Sequence, residues 1–169
     1  MIERYTRPEM AQVWTLENKF QKMLEVELAV CRVQNKLGNI PDYALKDIES
    51  RAKFDIKRID EIEKEVKHDI IAFLINVNEN IGESSRFIHM GMTSSDVIDT
   101  GLALQLKQAN EIIEKDIIEV IKTLKEKASE HKETVMIGRS HGIHAEPMTF
   151  GVKLCNWIDI FERNLERFR

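Results

Sequence analysis

The amino-acid sequence predicts an all-α protein. Only 7 of its 169 residues are Gly and 3 are Pro, and these are the two residue types that most disfavour the interior of a helix. Apolar residues recur at helical spacing along most of the chain. An apolar share of 43% beside 32% charged residues is ordinary for a globular protein with a real core.

The first ninety residues favour short, connected helices. Gly38 is suited to follow the C-terminus of the first helix, because glycine adopts the left-handed backbone that ends many helices. Pro41 suits the first turn of the second helix, and Asp55 can cap the third. The predicted helices cover residues 13–37, 41–51, 56–66 and 70–81, and a loop follows from 82 to 91.

Longer elements are predicted after residue 92. Thr93-Ser94-Ser95-Asp96 directly precedes an apolar helical pattern and is a strong helix-start signal. The pattern continues to Leu124, so this helix is expected to exceed 30 residues. The change from short to long helices predicts two domains, 1–92 and 93–169.

The last forty residues favour a loop and then a helix. Residues 134–138 form a short β-branched run, and 139–147 contain Gly and Pro at positions that oppose a continuous helix. We expect an ordered loop over 139–147. A helical pattern resumes at Met148 and reaches Arg169 without a Gly, Pro or polar tail, so the helix is expected to be cut off there.

Charge and cysteine content limit the classes of function. A net charge of −4 argues against a nucleic-acid surface, which needs a strongly basic face. The N-terminus has no apolar signal region, and no apolar stretch approaches the roughly 20 residues that a membrane span needs. Cys31 and Cys155 belong to no CxxC pair and are typical of reduced cysteines in the cytoplasm. We expect a cytoplasmic protein that binds neither nucleic acid nor membrane.

Four histidines lie where chemistry is commonly placed. His68, His89, His141 and His144 fall at helix ends or in loops that contain Gly, and histidine is the usual general acid or base near neutral pH. The alternative is that each is a capping or hydrogen-bonded structural residue. The pair His141 and His144 could suggest zinc, but the spacing lacks the Glu of HExxH and a third ligand. We therefore expect no metal.

Three further segments could bind anions. The hydroxyls and first-turn amides of 93–96 suit an anion as well as a plain helix cap. Arg4-Tyr5 offers a guanidinium to a phosphate or carboxylate. The run 67–69 joins a cation, a titrating ring and a carboxylate, although Asp69 could be only the N-cap of the next helix.

Three motifs in order resemble the adenylosuccinate lyases of the fumarase and aspartase superfamily. They are KHDI at 67–70, SRFIHMGMTSSDVIDT at 85–100 and IGRSHGIHAEPMTFG at 137–151, and the opening MIERYTRPEMAQVW is similar too. The resemblance covers the whole chain. A cycloisomerase family shares part of the second motif and argininosuccinate lyases share the architecture, but RSHGIHAEP followed by TFG favours the adenylosuccinate branch. Ser140 stands where that family usually has Thr, which preserves the hydroxyl.

The resemblance implies an anti β-elimination that releases fumarate. The implied substrates are adenylosuccinate, which gives AMP, and the succinylated aminoimidazole-carboxamide ribotide, and no metal or redox cofactor is implied. His141 would be the general acid, and His68 would orient it or contact the substrate phosphate. The other implied substrate-binding residues are Arg4, Tyr5, Lys67 and Asp69 for the nucleotide, Thr93 and Ser94 for the succinyl carboxylate, and His89 and Ser140 as supporting residues.

The chain departs from the family pattern at one point. The family's catalytic base is a Ser in a Ser-Ser-x-Met-Pro-x-Lys-x-Asn-Pro loop, and no such segment occurs up to Arg169. The resemblance further implies a homotetramer built on a bundle of long helices. We therefore expect the start of that bundle domain, truncated and inactive alone. Two alternatives remain: a stand-alone helical oligomerisation module acting through the faces of 95–130 and 148–169, or another fumarate-releasing member of the superfamily.

Overall fold

The structure is a computed structural model that describes residues 2–169. Its contacts divide the chain into two compact units, one ending at Ala109 and the other running from Asn110 to Arg169. Short 3₁₀ turns lie at Glu3–Tyr5 and Glu83–Phe87. The helices and strands are α1 (Pro8–Val13), α2 (Leu16–Lys36), α3 (Asp42–Arg51), α4 (Ile56–Val66), α5 (Asp69–Ile81), α6 (Ser94–Glu130), β1 (Val135–Ser140), β2 (Ile143–Thr149) and α7 (Phe150–Phe168).

The first unit has one apolar core built from α2 to α5 and the start of α6. Phe73 of α5 lies at its centre, fully buried, and its ring stacks on that of Phe20 of α2 with centroids 5.6 Å apart. Aliphatic side chains of α3 and α4, such as Ile48 and Ile59, close the core on other sides. This packing holds the helix ends on which the predicted site residues lie.

Helix boundaries in the first unit follow local capping. The Asp55 side chain accepts a hydrogen bond from the Arg58 amide at 2.9 Å and starts α4, and Gly38 has a φ of +82° after α2, both as predicted. The predicted helix over 13–37 is observed as α2, which begins at Leu16, and a separate short helix, α1, precedes it. Thr15 caps α2 by accepting a hydrogen bond from the Asn18 amide at 3.1 Å, so Trp14 and Thr15 separate α1 from α2.

The long helix is confirmed, since α6 has 37 residues. It contributes to both compact units. The predicted domain boundary at residue 92 corresponds to the N-terminus of α6, and it stays a prediction about the domains of the protein. No helix within residues 2–169 is long and apolar enough to cross a membrane.

The second unit contains a β-hairpin, so the expected loop over 139–147 is wrong. Strands β1 and β2 pair antiparallel, and the turn residues His141 and Gly142 have φ angles of +52° and +78°. Two successive positive φ angles match the twist of a tight hairpin turn. Pro147 is accommodated opposite Ile137, because a two-stranded sheet has only edge strands. The all-α class is confirmed, with this hairpin as an addition.

Two glycines allow close backbone approach in the second unit. A Cβ on Gly138 would lie 2.7 Å from the Glu146 carbonyl oxygen, at the point where the strand register shifts. A Cβ on Gly151 would lie 2.6 Å from the Ala128 carbonyl oxygen, where α7 starts against the end of α6. Thr149 caps α7 by accepting from the Val152 amide at 3.3 Å.

Candidate active site

Three predicted site residues have an unusual backbone conformation. Lys67, His89 and His141 have φ angles of 55°, 63° and 52°, and they are the non-glycine residues with positive φ in the part of the chain described. A side chain in this left-handed region costs roughly 1 to 2 kcal/mol. Such strain persists where the surrounding structure holds it and clusters at functional sites. Two of these residues belong to the first unit and His141 to the second.

The run 67–69 forms the corner between α4 and α5. The Lys67 amide donates to the Glu63 carbonyl at 2.8 Å and ends α4. His68 is the N-cap of α5: its Nδ1 accepts from the Ile71 amide at 3.4 Å, so the alternative that Asp69 is the N-cap is wrong. Asp69 accepts from the Ile70 amide at 2.8 Å. With Nδ1 as acceptor, the neutral ring of His68 carries its proton on Nε2.

His89 is held by a buried carboxylate of α2. Its amide donates to Glu27 Oε2 at 3.0 Å, and its Nδ1 lies 2.7 Å from Glu27 Oε1. Glu27 is 0% exposed, while the side chain of His89 keeps 20% of its surface exposed. Burial raises the pKa of Glu27 above its usual value, and the hydrogen bonds and charge of His89 oppose that rise.

The 93–96 segment starts α6 directly after this loop. The His89 carbonyl accepts from the Met92 amide at 3.3 Å, and the chain then enters the helix at Ser94. The Thr93 amide donates to Asp96 Oδ2 at 2.8 Å, so the carboxylate belongs to the helix cap. His89, Thr93 and Ser94 therefore lie close together at the N-terminus of α6, and Thr93 is exposed.

Arg4 and Tyr5 lie together on the first 3₁₀ turn. The Arg4 guanidinium carbon is 4.8 Å from the centroid of the Tyr5 ring, and Tyr5 is largely exposed. Stacking on the ring leaves the positive charge of the guanidinium in place, so this pair is suited to bind an anion.

Ser140 and His141 lie at the tip of the hairpin, and both are exposed. His144 follows in β2 and pairs with Arg139. His131 differs from these, because its Nδ1 lies 3.2 Å from Thr134 Oγ1 and its ring centroid lies 5.1 Å from that of Phe150. His131 therefore joins the end of α6 to the start of α7 and is a structural residue.

Comparison with known proteins identifies the family. The family model described as "Lyase" matches residues 3–169. The chain belongs to this lyase family. It is 53% identical over 169 residues to the adenylosuccinate lyase of Bacillus subtilis (strain 168) and 54% identical over 170 residues to that of Aquifex aeolicus (strain VF5). These matches take in 100% and 99% of this chain, which spans 39% of the length of each relative.

Solved structures of the superfamily have the same fold. A fumarate lyase from Mesorhizobium sp. BNC1 matches with a TM-score of 0.89 at 30% identity, over 94% of this chain and 38% of that one. The 3-carboxy-cis,cis-muconate lactonizing enzyme of Pseudomonas putida matches with a TM-score of 0.88 at 30% identity, over 97% of this chain and 39% of that one. The fold of this chain is therefore also found in a fumarate lyase and in a lactonizing enzyme.

Sequence reasoning missed one residue of the candidate site, Glu27. It lies four residues after Met23 and four before Cys31, both of which are buried in the core. A carboxylate on an apolar helical row was the available signal, because acidic residues are almost never fully buried without a partner. Its partner His89 is 62 residues away, which no local pattern connects.

The two histidines of the first unit offer opposite chemistry. The Nδ1 of His68 accepts from an amide, so its Nε2 is a donor, whereas the Nδ1 of His89 faces a carboxylate. A ring nitrogen that carries a proton can donate to an anionic group, whereas a neutral ring nitrogen with a free lone pair can accept a proton. An apolar groove of about 680 Å³ beside α2, lined by residues such as Val26, Val30 and Met92, contains none of the predicted site residues among those described.

Proposed function

We propose that this chain supplies one part of the active site of an adenylosuccinate lyase. The reaction would be the anti β-elimination of fumarate from adenylosuccinate and from the succinylated aminoimidazole-carboxamide ribotide. The observation that carries the proposal is the coincidence of the three strained non-glycine positions, Lys67, His89 and His141, with the three family motifs. Identities of 53% and 54% to adenylosuccinate lyases support the choice of substrate.

His141 is proposed as the general acid. β-Elimination removes a proton from the carbon next to one carboxylate and protonates the departing nitrogen. An exposed imidazole on a tight turn suits the second task, because the turn fixes its direction while the ring stays accessible. The catalytic base is proposed to lie outside this chain, in the Ser loop that the family resemblance implies.

The first unit is proposed to bind the substrate. Arg4, Tyr5 and the 67–69 corner would contact the nucleotide. The first-turn amides of α6, with Thr93 and Ser94, would meet the succinyl carboxylate, on which negative charge grows during the elimination. The Nε2–H of His68 would donate to the phosphate of the substrate.

Assembly into a homo-oligomer and a cytoplasmic location are part of the same proposal. The exposed apolar residues Val152, Trp157 and Ile160 of α7 support assembly, because large apolar side chains in one exposed stretch commonly mark a contact surface. If the activity test fails, the same surface supports the alternative of a helical oligomerisation module.

The test is fumarate release from adenylosuccinate by the full-length protein that contains this chain. We expect His141→Ala to lower kcat by about 10² to 10⁴-fold, the usual contribution of a general acid. His131→Gln is the matched control in the same unit, and it should retain activity because its contacts are structural. Full activity in His141→Ala would overturn the proposed role.

The 169-residue chain alone provides the second arm. We expect it to release no fumarate, because the proposed base lies outside it. Turnover by this chain that His141→Ala abolishes would show that no distant base is needed.

A further inference from the structure

Among the residues described, Glu27 is the one acidic residue that is fully buried. Its carboxylate pairs with His89 and not with a Lys or Arg side chain. Both of its oxygens are directed at a single residue, His89. One accepts from the His89 backbone amide at 3.0 Å, and the other lies 2.7 Å from the ring Nδ1. A loop anchor would need only the first of these contacts.

The second contact determines which ring nitrogen carries the proton. An ionised carboxylate can only accept hydrogen bonds, so a ring nitrogen 2.7 Å from it must be protonated. In a neutral imidazole the other nitrogen, Nε2, then keeps its lone pair. The ring is also fixed in direction, because the backbone of the same residue is tied to the same carboxylate.

Burial raises the pKa of Glu27 above its usual value, and the hydrogen bonds and charge of His89 act in the opposite direction, towards the ionised carboxylate. One turn further along α2, the Cys31 thiol faces the Phe87 carbonyl at 3.9 Å, two residues before His89. The His89 ring remains partly open to solvent, so a ligand can reach it.

We propose that Glu27 is a positioning residue that holds the proton of His89 on Nδ1 and thereby presents Nε2 as a hydrogen-bond acceptor for a donor group of the substrate. The contact between Nε2 and the substrate rests on the proposed function. The assignment of the proton to Nδ1 does not depend on that function. His68 and His89 would then be complementary, one donating and the other accepting through Nε2.

The tautomer can be measured directly by NMR on the 169-residue chain labelled with ¹⁵N in its imidazole rings. The spectrum is recorded at a pH about two units above the ordinary histidine pKa of about 6.5. The His89 signals are assigned by their loss in His89→Gln. We expect a protonated Nδ1 and a bare Nε2. A neutral ring protonated on Nε2 in the unmodified chain would overturn the proposal without any variant of Glu27.

Glu27→Gln provides the perturbation. The Gln oxygen can still accept from the His89 amide, but its NH₂ group must donate to Nδ1, so we expect the His89 proton to move to Nε2. Glu25→Gln is the matched control on the same helix, because Glu25 is half-buried, does not contact His89 and pairs with Lys22 at 2.9 Å. An unchanged His89 tautomer in folded Glu27→Gln would contradict the proposal.

Kinetics of the full-length protein separate this inference from the proposed function. If Nε2 contacts substrate, Glu27→Gln should lower kcat/KM by about tenfold or more, as the loss of an orienting partner does, and Glu25→Gln should not. A tautomer that shifts as expected while kcat/KM is unchanged would confirm the positioning by Glu27 and remove His89 from the proposed substrate site.

Discussion

The two compact units differ in how they use their apolar residues. In the first unit Phe73 and Val77 are fully buried, and the core joins five helices. In the second unit Leu154 is 3% exposed, but Val152 and Trp157 of the same helix are 59% and 43% exposed. The first unit contains the core that stabilises it, whereas much of the apolar surface of the second is left for contacts with other surfaces.

The difference matters for the proposed chemistry. The proposed general acid His141 lies in the unit with the smaller core, on an exposed hairpin tip, while most of the proposed binding residues lie on helix ends of the well-packed unit. Regions with few buried contacts open at a lower free energy than the core. We infer that substrate binding is fixed by the first unit and that the hairpin depends on further contacts to hold His141.

The largest effect is expected from the core of the first unit. Phe73→Ala should lower the free energy of unfolding by about 3 to 5 kcal/mol, because it removes a buried ring and leaves a cavity. Urea denaturation followed by circular dichroism measures the loss. Phe168→Ala, at a half-buried position of α7, is the control and should cost clearly less. Equal losses would break the distinction between the units.

The sequence predicted most of the first unit because its helix ends are coded locally. Each predicted helix end depends on a side chain or a φ angle within three residues of it. The structure has the predicted helix ends at Asp55, at Gly38 and at the 93–96 segment. Helical periodicity likewise predicted the length of α6.

The hairpin was not predicted, for a physical reason. A two-stranded sheet needs a partner strand, and Gly138, Gly142 and Pro147 all read as helix breakers in isolation. Only pairing shows that Gly142 completes the turn and that Gly138 allows the close approach of the Glu146 carbonyl. The contact of Glu27 with His89 was missed for a similar reason, since it joins residues far apart in sequence.

The next effect concerns the junction of α6 and α7. Gly151→Ala should lower the free energy of unfolding by about 1 to 3 kcal/mol, because its Cβ would meet backbone atoms of Ala128, His131 and Lys132 within 3.0 Å. Gly101→Ala is the matched control: its Cβ would lie 3.4 Å from a flexible Met23 side chain, and helix propensity favours Ala by about 1 kcal/mol. Thermal unfolding of both variants measures the contrast. A stable Gly151→Ala would show that the second unit has room at this junction.

Relief of backbone strain should raise stability in both units. Lys67→Gly should increase the free energy of unfolding by about 1 kcal/mol, since glycine adopts the left-handed conformation at the end of α4 without a Cβ clash. His141→Gly tests the same relief in the hairpin. Lys64→Gly, inside α4, is the control and should lose about 1 kcal/mol. Destabilisation by Lys67→Gly would show that its side chain contributes more than its backbone costs.

We expect the smallest effect on stability at the exposed face of α7. This prediction tests most directly whether the second unit leaves apolar surface for contacts. Trp157→Gln should change the free energy of unfolding by less than about 0.5 kcal/mol, because Trp157 is an exposed residue, with Lys153 Nζ 5.8 Å from its ring centroid, and substitutions of exposed residues usually change stability little. It should nevertheless weaken self-association of the 169-residue chain, measured by sedimentation at several concentrations. Asn156→Gln, an exposed polar neighbour on the same helix, is the control. A chain that is monomeric before any substitution would mean that the apolar face of the second unit is stable in water and needs no covering surface.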